Sequence, residues 1–306
     1  MNLIQWMIDS SLLQPYKLVF GNTSVGIFKN NPATLFIDVS NVVELQAVQV
    51  TSSSVTVGAA VSIANLIGLL ESNSGLSASF GVLVEHLSIV ANVAVRNAAS
   101  WAGNLMLTHD NADFPSDIFT IMAATNATLA IASSSGSQVY DLFSFLQLDM
   151  TGCVIESISI PVLPASQKLM TFKIMPRHVN SHAYVNAGFL MSVDGNNNGL
   201  HDDVDVDLIV IDEFCPAVIG TPRFVYGGIS AYAVLCPKTA QSLVGQNLNN
   251  ISTLSSAMVV LQQELVPDDP PVAASAAYRV SLACSLLYKF YLSFLPNANP
   301  RVQSGL

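Results

Sequence analysis

Between Lys17 and Ile27 the chain reads KLVFGNTSVGI. Gly21, Asn22, Thr23 and Ser24 interrupt an apolar, strand-like run with four residues that turn easily and hydrogen bond well. Such a turn either closes an ordinary hairpin or holds something on its backbone. A second stretch, VRNAASWAGNLML from Val95 to Leu107, is dominated at its centre by small residues. A third, DGNNNGLHDDVD from Asp194 to Asp205, has the spacing of a calcium loop. Asp194, Asn196 and Asn198 fall at positions one, three and five. Gly199 falls at six, Asp202 at nine, and Asp205 at twelve, where glutamate is expected. Its flanks, GFLMSV and VDLIVI, read as strands, so a polar turn explains it more cheaply than a metal. Cys153, Cys215, Cys236 and Cys284 are scattered and form no CxxC pair. That argues against structural zinc or an iron–sulfur cluster within the chain.

These residues need a frame to position them, and 306 residues suffice for two compact domains. Apolar residues make up 51% and charged residues only 10%, against about a quarter in a typical soluble domain. The chain can bury a large core, and its surface is unusually neutral. A partner covering part of that surface would explain this, and so would lineage drift. With 11 Lys and Arg against 21 Asp and Glu, nucleic acid is not an expected partner. The N-terminus has no basic region ahead of an apolar one and does not read as a signal peptide. The longest apolar run, Ser281 to Leu295, is too short for a membrane span and carries Lys289. A reduced, cytoplasmic chain is expected.

Residues 33–60 alternate in strand-like runs, ATLFIDVS, ELQAVQV and SSVTVGAAV. Ser62 reads as the N-cap of a helix running to about Glu71, and a second helix is expected from Gly81 to Ala91. Further helices are expected over 116–125 and 140–146, with the strand ATLAIAS between them. CVIESISIPV reads as an edge strand ending at Pro161. Beyond the prolines of PVLPASQK, LMTFKIM, GFLMSVD, VDLIVID and RFVYGGI read as an antiparallel meander. Helices follow over 239–243, 252–265 and 272–295. The last is nearly apolar all round and is expected to be buried.

Taken in order, these segments resemble the flavin domain of the xanthine dehydrogenase and aldehyde oxidase family, the molybdenum hydroxylases. KLVFGNTSVGI resembles that family's first FAD loop, "LV-x-GNT-x-x-G". Ser100-Trp101-Ala102-Gly103-Asn104 resembles its second, "ASxGGN". Ser116-Asp117 with IFTIMAATNATL, the strand IESISIP, the segment FKIMPRHVNSHAYVNAGF and the ending SLLYKFYLSFL resemble four further landmarks. The resemblance spans nearly the whole chain. It implies an α+β fold in two domains, residues 1–162 and 163–306. The first is a flavin-binding domain with a shortened N-terminal strand and helix. The second is an antiparallel sheet with a helical bundle.

The resemblance also implies FAD as cofactor. Leu18, Val19, Phe20, Gly21, Asn22, Thr23, Ser24 and Val25 would form the first loop. Ser100, Trp101, Ala102, Gly103 and Asn104 would form the second. Backbone N–H groups and close approach suit a pyrophosphate and need no lysine. Asp117 would bond the adenosine ribose, or simply favour a helix N-terminus. Ile155 would line the pocket or belong to the ordinary core. Lys173 would stand near the isoalloxazine ring, or be a solvated strand lysine. Two departures stand out. Val90 replaces an aromatic residue, and Trp101-Ala102 replaces smaller residues, with a cost at Ala102 if the backbone there needs positive φ. By this likeness the chain is an electron-transfer module. Iron–sulfur and molybdopterin domains on other segments or chains would be its partners, NAD⁺ or O₂ its acceptor, and a homodimer is compatible. The alternative is a non-catalytic relative that has lost FAD and serves as an interaction protein.

Overall fold

The first strand, β1 (Tyr16–Val19), pairs in parallel with β2 (Leu35–Asp38), Tyr16 standing opposite Leu35 and Val19 opposite Asp38. Parallel neighbours cannot be joined by a hairpin. The Gly21–Ser24 turn is therefore not a hairpin turn. Nor does a strand resume at Val25: the amides of Ile27 and Phe28 both donate to Ser24 O at 3.0 Å and curl the segment. Val25 and Ile27 stay exposed. The computed structural model describes residues 15–29, 32–194, 216–269 and 274–295.

A 3₁₀ turn over Val43–Gln46 buries Leu45 and takes up half of the expected strand ELQAVQV, leaving only β3 (Val48–Val50) extended. β4 (Ser54–Gly58) follows, then α1 (Ile63–Ser72), with Ser62 accepting from Asn65 N as its cap. α2 (Ala78–Ser88) starts three residues before its expected start, because Ser77 caps it. The small-residue stretch is a pair of helices rather than a loop. α3 (Val93–Ala98) is capped by Asn92 and α4 (Trp101–Asp110) by Ser100. α5 (Asp117–Ala124) has all eight residues buried. β5 (Thr128–Ser133), β6 (Gly136–Asp141), the short α6 (Leu142–Phe145) and β7 (Val154–Pro161) complete the first half.

The five strands order as β3-β4-β7-β5-β6, all antiparallel. β7 is thus the central strand and not an edge. Its Ile155, Ile158 and Ile160 are buried, and Pro161 is its last residue, level with Ser54. A proline at a strand end costs the ladder little.

A second sheet holds β8 (Gln167–Ile174), β9 (Val185–Asp194), β10 (Ala217–Gly227) and β11 (Val234–Leu235), in the order β11-β10-β9-β8. The expected strand VDLIVID and the calcium-like residues after Asp194 lie outside the described residues. Three helices follow, α7 (Pro237–Leu243), α8 (Ile251–Glu264) and α9 (Ala276–Leu292); α7 and α9 pack on this sheet, and α8 packs on the other two helices. α9 buries Ala283, Leu286, Leu287, Phe290 and Tyr291, but Tyr278 and Tyr288 are exposed, so it is covered on one face only. Phe189 sits among Phe172, Phe224, Tyr226 and Phe290 with ring centroids 5.0–5.6 Å away. No helix among the described residues is long and apolar enough to cross a membrane.

The two sheets meet through α5. Its approach to β9 is so close that a Cβ on Gly188 would stand 2.6 Å from Ala124 Cβ. Asn186, fully buried on β9, donates to Asp117 Oδ1 at 2.8 Å and accepts from Thr120 Oγ1 at 2.9 Å. The first turn of α5 is fixed by contacts from the second sheet.

Candidate functional site

A cavity of about 1780 Å³ opens where β1, the turn after it, α4, α5 and β8 converge. Ligand pockets commonly measure about 300–1,000 Å³, so this one has room for an extended molecule. Leu18, Val19, Phe20, Gly21, Asn22, Thr23 and Ser24 all line it; Val25 does not and is 53% exposed. Asn22 holds the turn with φ of 48°. Gly21 lies against the end of α3: a Cβ there would be 1.8 Å from Ala98 O. The two stretches singled out in the sequence are therefore in direct contact.

The second stretch presents a helix start. Ser100 Oγ accepts from Gly103 N at 3.0 Å. The other first-turn amides of α4 have no acceptor within the helix. Ser100, Ala102, Gly103 and Asn104 line the cavity. Asn104 Oδ1 accepts from Ser116 Oγ at 2.5 Å, and Ser116 in turn caps α5, so the two helix starts are tied together. Trp101 does not line the cavity. Its indole is fully buried in the core and donates from Nε1 to Gly58 O at 2.9 Å. Ala102 has ordinary helical backbone and needs no positive φ. The Trp101-Ala102 departure from the family pattern is thus absorbed by the fold, and at the other departure Val90 presents an apolar wall where the pattern has a ring.

Asp117, Ile155 and Lys173 also line the cavity, and the first and last of these are joined. Lys173 Nζ lies 2.7 Å from Asp117 Oδ2 and donates to Ile89 O at 3.1 Å. Its side chain is 1% exposed, so it is not a solvated strand lysine. Burial pushes the Asp117 carboxyl up, but His86 and Lys173 outweigh it and hold the group below its ordinary value. Asp117 is thus more than a helix-terminal acid: it anchors a buried cation at the cavity wall.

Several residues that sequence reasoning missed line the cavity or support its wall from behind. Asn186 and His86 flank Asp117. Phe28, Phe114 and His182 come from three separate segments and stack edge to face, Phe28–Phe114 at 5.9 Å and Phe114–His182 at 5.2 Å. Arg279, buried on α9, donates to Gly228 O, Ile229 O and Ala274 O and pairs with Asp268, which fixes the loop carrying Ser230 and Tyr232 to the cavity. No local pattern marks these residues, because their partners are distant in sequence. Arg177, from the segment after β8, spends its guanidinium on Asn180 O of its own loop.

Residues 7–163, just over half the chain, match the family model described as the FAD binding domain in molybdopterin dehydrogenase. The chain belongs to this family. Residues 213–294 match the CO dehydrogenase flavoprotein C-terminal domain. An indole-3-acetaldehyde oxidase of Arabidopsis thaliana is 31% identical over 307 residues, which cover 94% of this chain and 21% of that protein. Probable aldehyde oxidase 3 of Oryza sativa subsp. japonica is 31% identical over 301 residues, 95% of this chain and 20% of that protein. The chain spans about a fifth of the length of the curated relatives it matches. Its fold is that of quinoline 2-oxidoreductase from Pseudomonas putida 86, with a TM-score of 0.74 at 22% identity over 94% of this chain and 93% of that one. Carbon monoxide dehydrogenase from Hydrogenophaga pseudoflava gives 0.74 at 17% identity, covering 94% and 91%.

FAD is the cofactor of this family's domain, and the residues present fit it. The donors facing the cavity from the Gly21–Ser24 turn and the α4 start are neutral amides and hydroxyls, suited to a pyrophosphate. Lys173, a buried cation at the wall, is placed to meet negative charge. Among the described residues no group of three or more His, Cys, Asp or Glu is arranged to hold a metal.

Proposed function

We propose that this chain passes electrons from iron–sulfur clusters on other domains or chains, through FAD, to NAD⁺ or O₂. The observation that carries the proposal is the buried Lys173–Asp117 pair in the wall of a cavity flanked by two phosphate-type cradles. Bound FAD would supply two-electron chemistry that no side chain here can perform. The chain's own residues do the rest. Gly21 to Ser24 and the first turn of α4 hold the pyrophosphate. Ile155 and Val90 give the rings an apolar wall. Lys173 offsets negative charge gained on reduction, and Asp117 keeps Lys173 in place. Molybdopterin domains elsewhere would oxidise the substrate. We assign the flavin domain to residues 1–162, the sheet-and-helix domain to 163–306, and the location to the cytoplasm.

The test is a visible spectrum of the purified chain and the flavin released on denaturation. Equimolar FAD is expected. A colourless chain that also fails to bind added FAD would remove the proposal. Gly103→Asp sharpens the test. Position 103 is the third residue of α4, where an acid stabilises a helix by a few tenths to about 1 kcal/mol. The fold should survive, while a carboxylate now faces the phosphates. Unchanged melting with FAD affinity weakened at least about tenfold, roughly 1.4 kcal/mol, and a correspondingly lower FAD content is the expected outcome. Unchanged FAD content would sink the assignment of that helix start.

A further inference from the structure

Behind the Asp117–Lys173 pair, on α2, lies a histidine that no binding step uses. His86 is 3% exposed, and its Nε2 has no hydrogen-bond partner. Leaving a buried polar atom bare is costly, and such atoms call for an explanation. Nε2 stands 3.7 Å from Asp117 Oδ1, just beyond hydrogen-bond reach. That oxygen already accepts from Asn186 Nδ2 at 2.8 Å, while Oδ2 faces Lys173 Nζ at 2.7 Å. A carboxylate oxygen has two acceptor sites, so Oδ1 retains one. The charged and titratable groups around this point are Asp117 on α5 and Lys173 on β8. His182 and Asp113 lie further out, and Asp117, Lys173 and Asp113 all act on His182.

The geometry points to His86 as a positioning residue that takes up a proton when the cavity gains negative charge. As an imidazolium it donates from Nε2 to Asp117 Oδ1. Asp117 then leans on two cations, and the charge of Lys173 is released toward the cavity. The inference rests on the reading that FAD occupies the cavity. The balance is simple. Full reduction of FAD takes two electrons and one proton and leaves one negative charge. A second proton, drawn from water, binds His86 Nε2. Asp117 stays ionised, and no covalent bond is made or broken in the protein.

The experiment compares wild type with His86→Gln, which keeps a similar size and a donor but cannot titrate. Each FAD-loaded chain is reduced with dithionite in the presence of a reference dye, and the flavin potential is read between about pH 7 and 8.5. For a two-electron couple a tenfold change is about 30 mV, so one proton gives about 30 mV per pH unit and two give about 59 mV. The steeper slope is expected in wild type and the shallower in His86→Gln. Equal slopes in two fully loaded proteins would overturn the inference. A second arm needs no flavin: the His86 ring is titrated by NMR in the flavin-free chain and in its Asp117→Asn variant. Loss of the carboxylate should move the titration to lower pH. A ring that ignores Asp117→Asn overturns the inference, even if the chain holds no FAD. A wild-type chain without FAD would count against the functional reading alone.

Discussion

Lys173→Met is expected to destabilise the chain by about 3–5 kcal/mol, the cost of stranding one partner of a buried ion pair. Both side chains are sealed, at 1% and 8% exposure, so solvent cannot replace the lost cation. The deficit should depend on pH in a way that a packing defect would not. In wild type the folded-state pKa of Asp117 is lowered, so its contribution is fully present above the unfolded value near 4. It is lost as pH falls through the folded value, which strands Lys173 instead. In the variant, burial acts on Asp117 with less opposition, and the carboxyl protonates more readily. The gap in melting temperature between the two proteins should therefore be wide at neutral pH and narrow below about pH 4. The double variant Lys173→Met/Asp117→Asn should regain most of the loss at pH 7. A gap independent of pH, or a double variant no better than the single, would show that the pair is not coupled as the geometry indicates.

That pair also marks how far the sequence can be read. Asp117 and Lys173 each stood out singly, one at a helix start and one as a rare cation in a strand. Their contact spans 56 positions, from 117 to 173, and depends on α5 docking against the second sheet, which no local periodicity announces. Two helix starts were legible where a serine precedes an apolar turn, at Ser62 and Ser116. Ser100 is a cap of the same kind, but the small residues after it weaken the helical pattern, so α4 reads as a loop. The central place of β7 was hidden by Pro161, which reads as an edge signal but stands at the strand's last position. The indole of Trp101 was placed with the ligand by likeness to a motif. Helical geometry sends it to the core and leaves Ala102 and Gly103 at the cavity.

Gly21→Ala should separate the two cradles. The added Cβ would stand 1.8 Å from Ala98 O and 2.7 Å from Ala98 C, and both are backbone atoms that cannot rotate away. Either the turn lifts or the end of α3 shifts, and Ala99 and Ser100 follow directly in the chain. Overpacking of this kind costs about 1–3 kcal/mol, and the strain falls where α4 begins. An unliganded chain can relieve it by letting the turn retreat. A chain that must hold one pyrophosphate from both sides cannot. The expected result is a small fall in melting temperature of the flavin-free protein. FAD affinity should fall by a larger factor, at least about tenfold, or roughly 1.4 kcal/mol. Equal penalties with and without FAD would mean that the Gly21–Ala98 contact serves only the fold. The larger penalty with FAD would mean that glycine is held at position 21 by the ligand, since only there must turn and helix start meet at a fixed distance.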